Sequence, residues 1–155
     1  MRTIRRVGSL GSSLAGFVIG VLPGAGATIA SAITYTTEKR LAGANGRFGE
    51  GDIRGVAAPE AANNASAIGS FVPMLTLGVP GSGTTAVMMG ALALYNITPG
   101  PALFTMNPDL VWGLIASLFV ANVILLALNI PLVGVFARML QTPNWLLVPA
   151  ILSVS

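Results

Sequence analysis

The sequence has no cysteine and no histidine, and 155 residues carry only five acidic and eight basic side chains. Without cysteine there is neither a disulfide nor a thiolate metal site, and nothing points to a redox compartment. Without histidine, Ser-His and Cys-His nucleophilic catalysis within the chain is excluded. The single lysine, Lys39, is remote in sequence from Ser82, so an intramembrane enzyme has no nucleophile–base pair to work with. The shortage of charge says most. Charged residues make up 8% of the chain, against roughly 25% in ordinary soluble domains. Hydrophobic residues reach 54%, and the mean hydropathy is +0.80. Such a composition belongs to an integral membrane protein.

The few charges are confined to Arg2, Arg5 and Arg6, a block from Glu38 to Glu60, and then Asp109 and Arg138. They leave uncharged runs at 7–37, 61–108 and 110–137, each longer than the ~20 apolar residues a spanning helix needs. The formal charge of +3 does not make a nucleic-acid face, which needs many clustered Lys and Arg. Spread over short segments, these residues read as topology signals instead.

Residues 1–37 resemble a signal peptide at first sight, with a basic start, an apolar run and Ala25-Gly26-Ala27 as a small-x-small cleavage site. Pro23-Gly24-Ala25-Gly26 breaks that run in the middle, however, where a cleavable signal is plain helix. Basic residues also flank both ends, Arg5 and Arg6 before, Lys39, Arg40, Arg47 and Arg54 after. Both ends therefore prefer the cytoplasm, which a broken, re-entrant hairpin with its tip at Pro23–Gly26 satisfies. Gly16 and Gly20 lie four apart on one helix face and allow a second backbone to approach.

Residues 38–58 read as a glycine-rich cytoplasmic loop whose ions are solvated. Pro59 suits the first turn of a helix, and Glu60 there either caps it or takes part in cation coupling. From Glu60 the pattern predicts a helix to about Leu77, with Ala61, Ala65 and Gly69 as a packing stripe. Asn63 and Asn64 sit one turn inside. Buried amides must find partners, and polar groups at membrane depth are functional candidates. Glu60, Asn63 and Thr76 are the candidates for a coupling cation, while a hydrogen-bond clamp between helices accounts equally for the two asparagines.

The chain then repeats itself. Pro23-Gly-Ala-Gly-Ala-Thr28 and Pro80-Gly-Ser-Gly-Thr-Thr85 share Pro-Gly-small-Gly-x-Thr at a separation of 57 positions. Paired Gly/Pro-interrupted apolar segments are the best sequence pointer to a transporter binding site. Half-helices starting after each break present free N–H groups and a positive dipole end, which suits an anion. The candidate anion residues are Pro23, Gly24, Gly26, Thr28, Asn63, Asn64, Pro80, Gly81, Ser82, Gly83, Thr84 and Thr85. Gly24-x-Gly26 and Gly81-x-Gly83-x-x-Ala86 mimic a dinucleotide fingerprint, but neither follows a β-like run and no acidic residue follows at the required distance. A second broken segment thus covers 59–101, ending at Pro99-Gly100-Pro101. Residues 110–130 are a spanning helix entered by Trp112 and ended near Pro131. Asn122 and Asn129 share one of its faces for packing. Residues 143–155 begin a helix too short to span, as in a truncated chain.

Together, GFVIGVLPGAGATIAS (16–31), ITYTTEKRL (33–41), FGEGDIRGVAAPEAANNA (48–65), SFVPMLTLGVPGSGTTAVMMGAL (70–92) and ITPGPALF (97–104) resemble the large membrane subunit of tripartite tricarboxylate transporters, over nearly the whole chain. The resemblance implies an all-α integral membrane protein, a multi-pass bundle with broken or re-entrant hairpins that matches the second half of the family. It would thus be one half of an inverted-repeat transporter, with the remaining half of the permease missing. It implies a secondary permease, not an enzyme, driven by a sodium ion or proton gradient with no other cofactor. A small carboxylate anion would be imported across the bacterial inner membrane, with a periplasmic solute-binding protein and a small membrane subunit as partners and no nucleic acid. The alternative is a non-transporting membrane scaffold, the remnant of a split permease gene.

Overall fold

The structure, a computed structural model, describes residues 2–140, with side chains from residue 10 to residue 138. The expected helix start at 143–155 and the turn before it lie outside the described residues. Every regular element among the described residues is helical: α1 (Arg2–Val21), α2 (Gly26–Ala42), a 3-10 turn (Gly43–Asn45), α3 (Arg54–Gly69), α4 (Phe71–Leu77), α5 (Gly83–Leu94), α6 (Leu103–Met106) and α7 (Pro108–Leu140). Residues up to Pro108 form one compact unit, and residues from Asp109 form another.

Glycines set the heart of the first unit. A Cβ built on Gly16 would lie 2.5 Å from the Ala62 Cα, and one on Gly20 would lie 2.7 Å from the Ser66 Cα. Real carbons stay about 3.5–4.0 Å apart, so only glycine lets α1 and α3 touch backbone to backbone. Gly69 completes the seam, its Cβ position being 2.6 Å from the Phe17 carbonyl oxygen. Because Gly16 meets Ala62 and Gly20 meets Ser66, α1 and α3 run in the same direction. The Ser31 hydroxyl donates to the Pro59 carbonyl at 3.2 Å, and the Tyr35 ring stands beside Gly55, so α2 runs the opposite way. Hence α1 and α2 form a hairpin whose tip is the turn Leu22–Ala25, held by Leu22 N–H to Ile19 O and Ala25 N–H to Leu22 O. Gly24 and Gly26 take φ of +76 and +66 there, a region that favours glycine.

The buried face of α3 is Ala58, Ala62, Ser66 and Gly69. The expected stripe of Ala61, Ala65 and Gly69 is therefore displaced by one residue at its first two positions, and Ala61 and Ala65 are only half-buried. α3 also begins earlier and ends earlier than expected. It starts at Arg54, which puts Pro59 inside the helix, and it breaks at Ser70 before α4. Pro73 explains the break: without an N–H it cannot bond the Gly69 carbonyl, so the helix restarts with Pro73 in its first turn. Glu60 accordingly does not cap the helix.

The N-terminus of α3 is organised by Asp52 instead. Its carboxylate accepts from the Arg54 backbone N–H at 3.0 Å, from Arg54 Nε at 3.0 Å and Nη2 at 2.6 Å, and from the Arg47 N–H at 3.3 Å. The Arg54 guanidinium also lies 5.6 Å over the Phe48 ring, which meets Tyr35 edge-on at 5.6 Å. The segment expected as a solvated loop thus has α2 running into it as far as Ala42 and a packed aromatic–ionic knot before α3.

In the second unit, α7 is long and apolar enough to cross a membrane, over Pro108–Arg138. It passes straight through Pro131 rather than ending there. A proline costs one bond to the carbonyl four residues earlier, and membrane helices tolerate that. Asn122 and Asn129 donate to Leu118 O and Leu125 O at 2.8 Å, so each amide is satisfied within its own helix. Leu10–Val21 and Gly83–Leu94 are shorter apolar stretches.

Candidate functional site

Gly20, before the first break, and Gly81, within the second, both pack where α3 ends and meets α4. Gly20, two residues before the first turn, packs on Ser66 and on Gly69. In the second break, a Cβ on Gly81 would lie 2.8 Å from the Ser70 Cα, Cβ and carbonyl oxygen, and the Ser82 hydroxyl bonds that of Ser70 at 3.3 Å. Ser66 to Ser70 therefore meets the second turn directly and α1 just before the first turn. Buried in this stretch, the Ser66 hydroxyl has no hydrogen-bond partner among the described residues. The second turn is gripped from another side as well. Gly78 closes α4 in the left-handed region, and a Cβ there would lie 2.6 Å from the Pro99 carbonyl oxygen.

The two half-helix starts differ. At α5 the Ser82 hydroxyl accepts from the Thr85 N–H at 3.3 Å, and the Thr85 hydroxyl accepts from the Ser82 N–H at 2.9 Å, a reciprocal capping box. Thr85 is fully buried, and its hydroxyl also lies 2.9 Å from the Ser82 carbonyl. Ser82 and Thr85 therefore shape the turn from within. What the box leaves for a ligand is the pair of N–H groups on Gly83 and Thr84, both exposed residues. Apart from its chain neighbours and its own helix backbone, no described atom lies within 4 Å of a Cβ position on Gly83. At α2 no side chain caps the start, Thr28 is exposed, and the space around Gly24 and Gly26 is likewise open. An anion placed at either start would meet backbone donors and a positive dipole end.

The proposed cation residues fall elsewhere. Glu60 and Asn64 are exposed one turn apart on α3, about half a helix turn around from the Ala58–Ala62 face. The Asn64 amide donates to the Glu60 carboxylate at 3.2 Å and to the Glu60 carbonyl at 2.9 Å. Asn63 is half-buried on the same helix. Thr76 lies beyond the Ser70 break, its hydroxyl donating to Val72 O at 2.7 Å. Glu60 and Thr76 thus stand on different helices, and each side chain bonds within its own helix. Among the described residues, no group of three or more Asp and Glu side chains could hold a metal ion.

Three participants escape sequence reasoning. Ser70 gives no motif signal, Asp52 looks like one more loop charge, and the contact of Gly78 with Pro99 folds the segment read as 59–101 back on itself. A Pro73 three residues after Ser70 was the available hint of a third break.

The family model for the tripartite tricarboxylate transporter TctA family matches residues 1–155. Two proteins of Agrobacterium vitis are similar. One, an uncharacterized protein in the TAR-II ttuC' 3'region, is 48% identical over 136 residues, 88% of this chain and 56% of that protein. The other, an uncharacterized 52.8 kDa protein in the TAR-I ttuC' 3'region, is 47% identical over 139 residues, 90% of this chain and 28% of that protein. The chain thus spans about half the length of the first relative and a little over a quarter of the second. No solved structure matches it.

Proposed function

The chain belongs to the tripartite tricarboxylate transporter TctA family, and on that premise we propose that it forms part of the membrane permease of a secondary carboxylate uptake system. The observation that carries the proposal is that Ser66–Ser70 receives both the second Pro-Gly turn, through Gly81 and Ser82, and α1 two residues before the first turn. Two uncharged half-helix starts suit an anion with several carboxylates, which backbone N–H groups bind without a fixed countercharge. Gly83 and Thr84 would hold one carboxylate through N–H groups and the Thr84 hydroxyl. Pro23, Gly24, Gly26 and Thr28 would shape the second position, and Gly81, Pro80, Ser82 and Thr85 would fix the turn. Glu60 with Asn63 and Asn64, and Thr76 beyond the break, are the proposed coupling residues for a sodium ion or a proton. A multi-pass bundle in the bacterial inner membrane, a second repeat to move against this one, a periplasmic solute-binding protein and a small membrane subunit complete the reading.

The test is uptake of labelled citrate by the full permease with its partner subunits, in cells lacking their own carrier. Gly83→Val fills open space beside the free N–H groups and is expected to abolish uptake with the amount of inserted chain unchanged. Gly90→Val, also in open space on α5 but two turns on, should leave uptake intact. Wild-type uptake by Gly83→Val would overturn the assignment of this turn to the anion.

A further inference from the structure

Seven of the eight basic residues fall in 2–54, with three of the five acidic ones. In sequence they are three separate segments. The helix directions worked out above bring them to one place. α1 and α3 run the same way and α2 the opposite way, so the start of α1, the end of α2 and the start of α3 share one end of the unit. Arg2, Arg5 and Arg6 occupy the first turns of α1, Lys39 and Arg40 the last turn of α2, and Arg47 and Arg54 the connection into α3. That end has a formal charge of +4, and the rest of the chain has −1.

Not all of this charge is free. Arg54 is committed to Asp52 at 2.6 Å, and Arg47 pairs with Glu50 at 3.6 Å across an exposed surface. Lys39 and Arg40 are exposed and form no ion pair among the described residues. Beside them the same end exposes Leu41, Ile53 and Val56, at 76%, 55% and 70%. Basic heads next to bare apolar side chains match the boundary between phospholipid headgroups and acyl chains, where long basic side chains reach outward and apolar ones inward. The two Pro-Gly turns are at the other end of α1, about 30 Å away for a 20-residue helix, so they do not account for the charge.

We propose that this end, formed by the first turns of α1, the last turn of α2 and the connection into α3, is a docking surface for the headgroups of anionic phospholipids. The proposal rests on the chain being membrane-embedded, as its family implies, and not on any assignment of the transport site. Each basic residue near an anionic membrane surface contributes about 1 kcal/mol, a factor of about 5.

The full chain, reconstituted in mixed phosphatidylcholine and phosphatidylglycerol, is tested with spin-labelled forms of each lipid for the fraction immobilised at the protein. Wild type is expected to prefer phosphatidylglycerol, less so at high salt. Lys39→Gln with Arg40→Gln, both exposed and helix-compatible, should cut that preference by up to about 25-fold. Arg138→Gln in α7 should leave it unchanged. Equal association of the two lipids, or a preference that survives the double variant, would overturn the proposal. So would release of phosphatidylglycerol by inorganic phosphate at constant ionic strength, which would mean a site for free anions. No transport is measured, so a failure here and a failure of the uptake test are separate results.

Discussion

Replacing Gly20 by alanine tests the helix seam on which the candidate site is built. Alanine adds one methyl group, and that methyl would fall 2.7 Å from the Ser66 Cα. Ordinary carbon contacts are about 3.5–4.0 Å, and the obstacle is backbone, which cannot rotate away. α1 must therefore retreat from α3 by roughly 1 Å. Such over-packing costs about 1–3 kcal/mol, against a gain of about 1 kcal/mol from putting alanine instead of glycine in a helix. Gly11 lies on the same helix with open space around it, so Gly11→Ala collects the helix gain alone. The propensity terms cancel in the comparison, and Gly20→Ala should be less stable than Gly11→Ala by about 1–3 kcal/mol. Because one retreat relieves both positions, Gly16→Ala combined with Gly20→Ala should cost less than the two single changes added together. The assay is reversible unfolding of the full chain in micelles by a denaturing detergent, followed by far-UV circular dichroism. Equal stability for the Gly11 and Gly20 variants, within about 0.5 kcal/mol, would refute backbone contact between α1 and α3.

Phe48→Ala removes the ring that Tyr35 and Arg54 share, and a large-to-small change there should cost about 2–4 kcal/mol; limited proteolysis should then cut within residues 46–53 faster, and an unchanged rate would refute the knot. The Arg54 guanidinium beside Asp52, aided by the Arg54 and Arg47 backbone N–H groups, holds the Asp52 carboxyl well below the usual carboxylate range. Since the folded value lies below the unfolded one, this contribution is complete above about pH 4 and is lost as pH falls through the folded value. Asp52→Asn should therefore flatten the acid side of a stability–pH curve without adding any slope above about pH 5. Glu60→Gln keeps the hydrogen bond to Asn64 but removes the charge, and it should change the cation dependence of uptake more than the citrate affinity; an unaltered cation response leaves Glu60 as half of a surface pair.

Much of the local structure was legible because its causes are local. Proline removes a hydrogen-bond donor wherever it stands, and the two Pro-Gly motifs lie between helices, at Leu22–Ala25 and between Leu77 and Gly83. The four-residue spacing of Gly16 and Gly20 announced a close helix neighbour. Where a proline can be absorbed, reading residue by residue fails: Pro59 and Pro131 both lie inside helices. At Pro59 the helix is already running, organised by Asp52 and begun at Arg54, six residues before the expected boundary at Glu60. Ser82 and Thr85 show the same limit at the site. Hydroxyls after a glycine turn suggest ligand donors, but the pair cap each other, and the open donors are the N–H groups of Gly83 and Thr84.

The sequence by itself determined the helical, apolar character of the chain, the repeat of its Pro-Gly motif and its family, because each follows from composition, spacing or a contiguous motif. Only the tertiary structure decided that α1 and the second break both pack at Ser66–Ser70, that Pro99 grips Gly78, and that three basic segments converge on one end. Those are contacts between residues about ten to about fifty positions apart. They depend on helix direction and on which face of α3 is buried, and a displacement of one residue around a helix, as from Ala61 to Ala62, turns a side chain by about 100° and changes its neighbour.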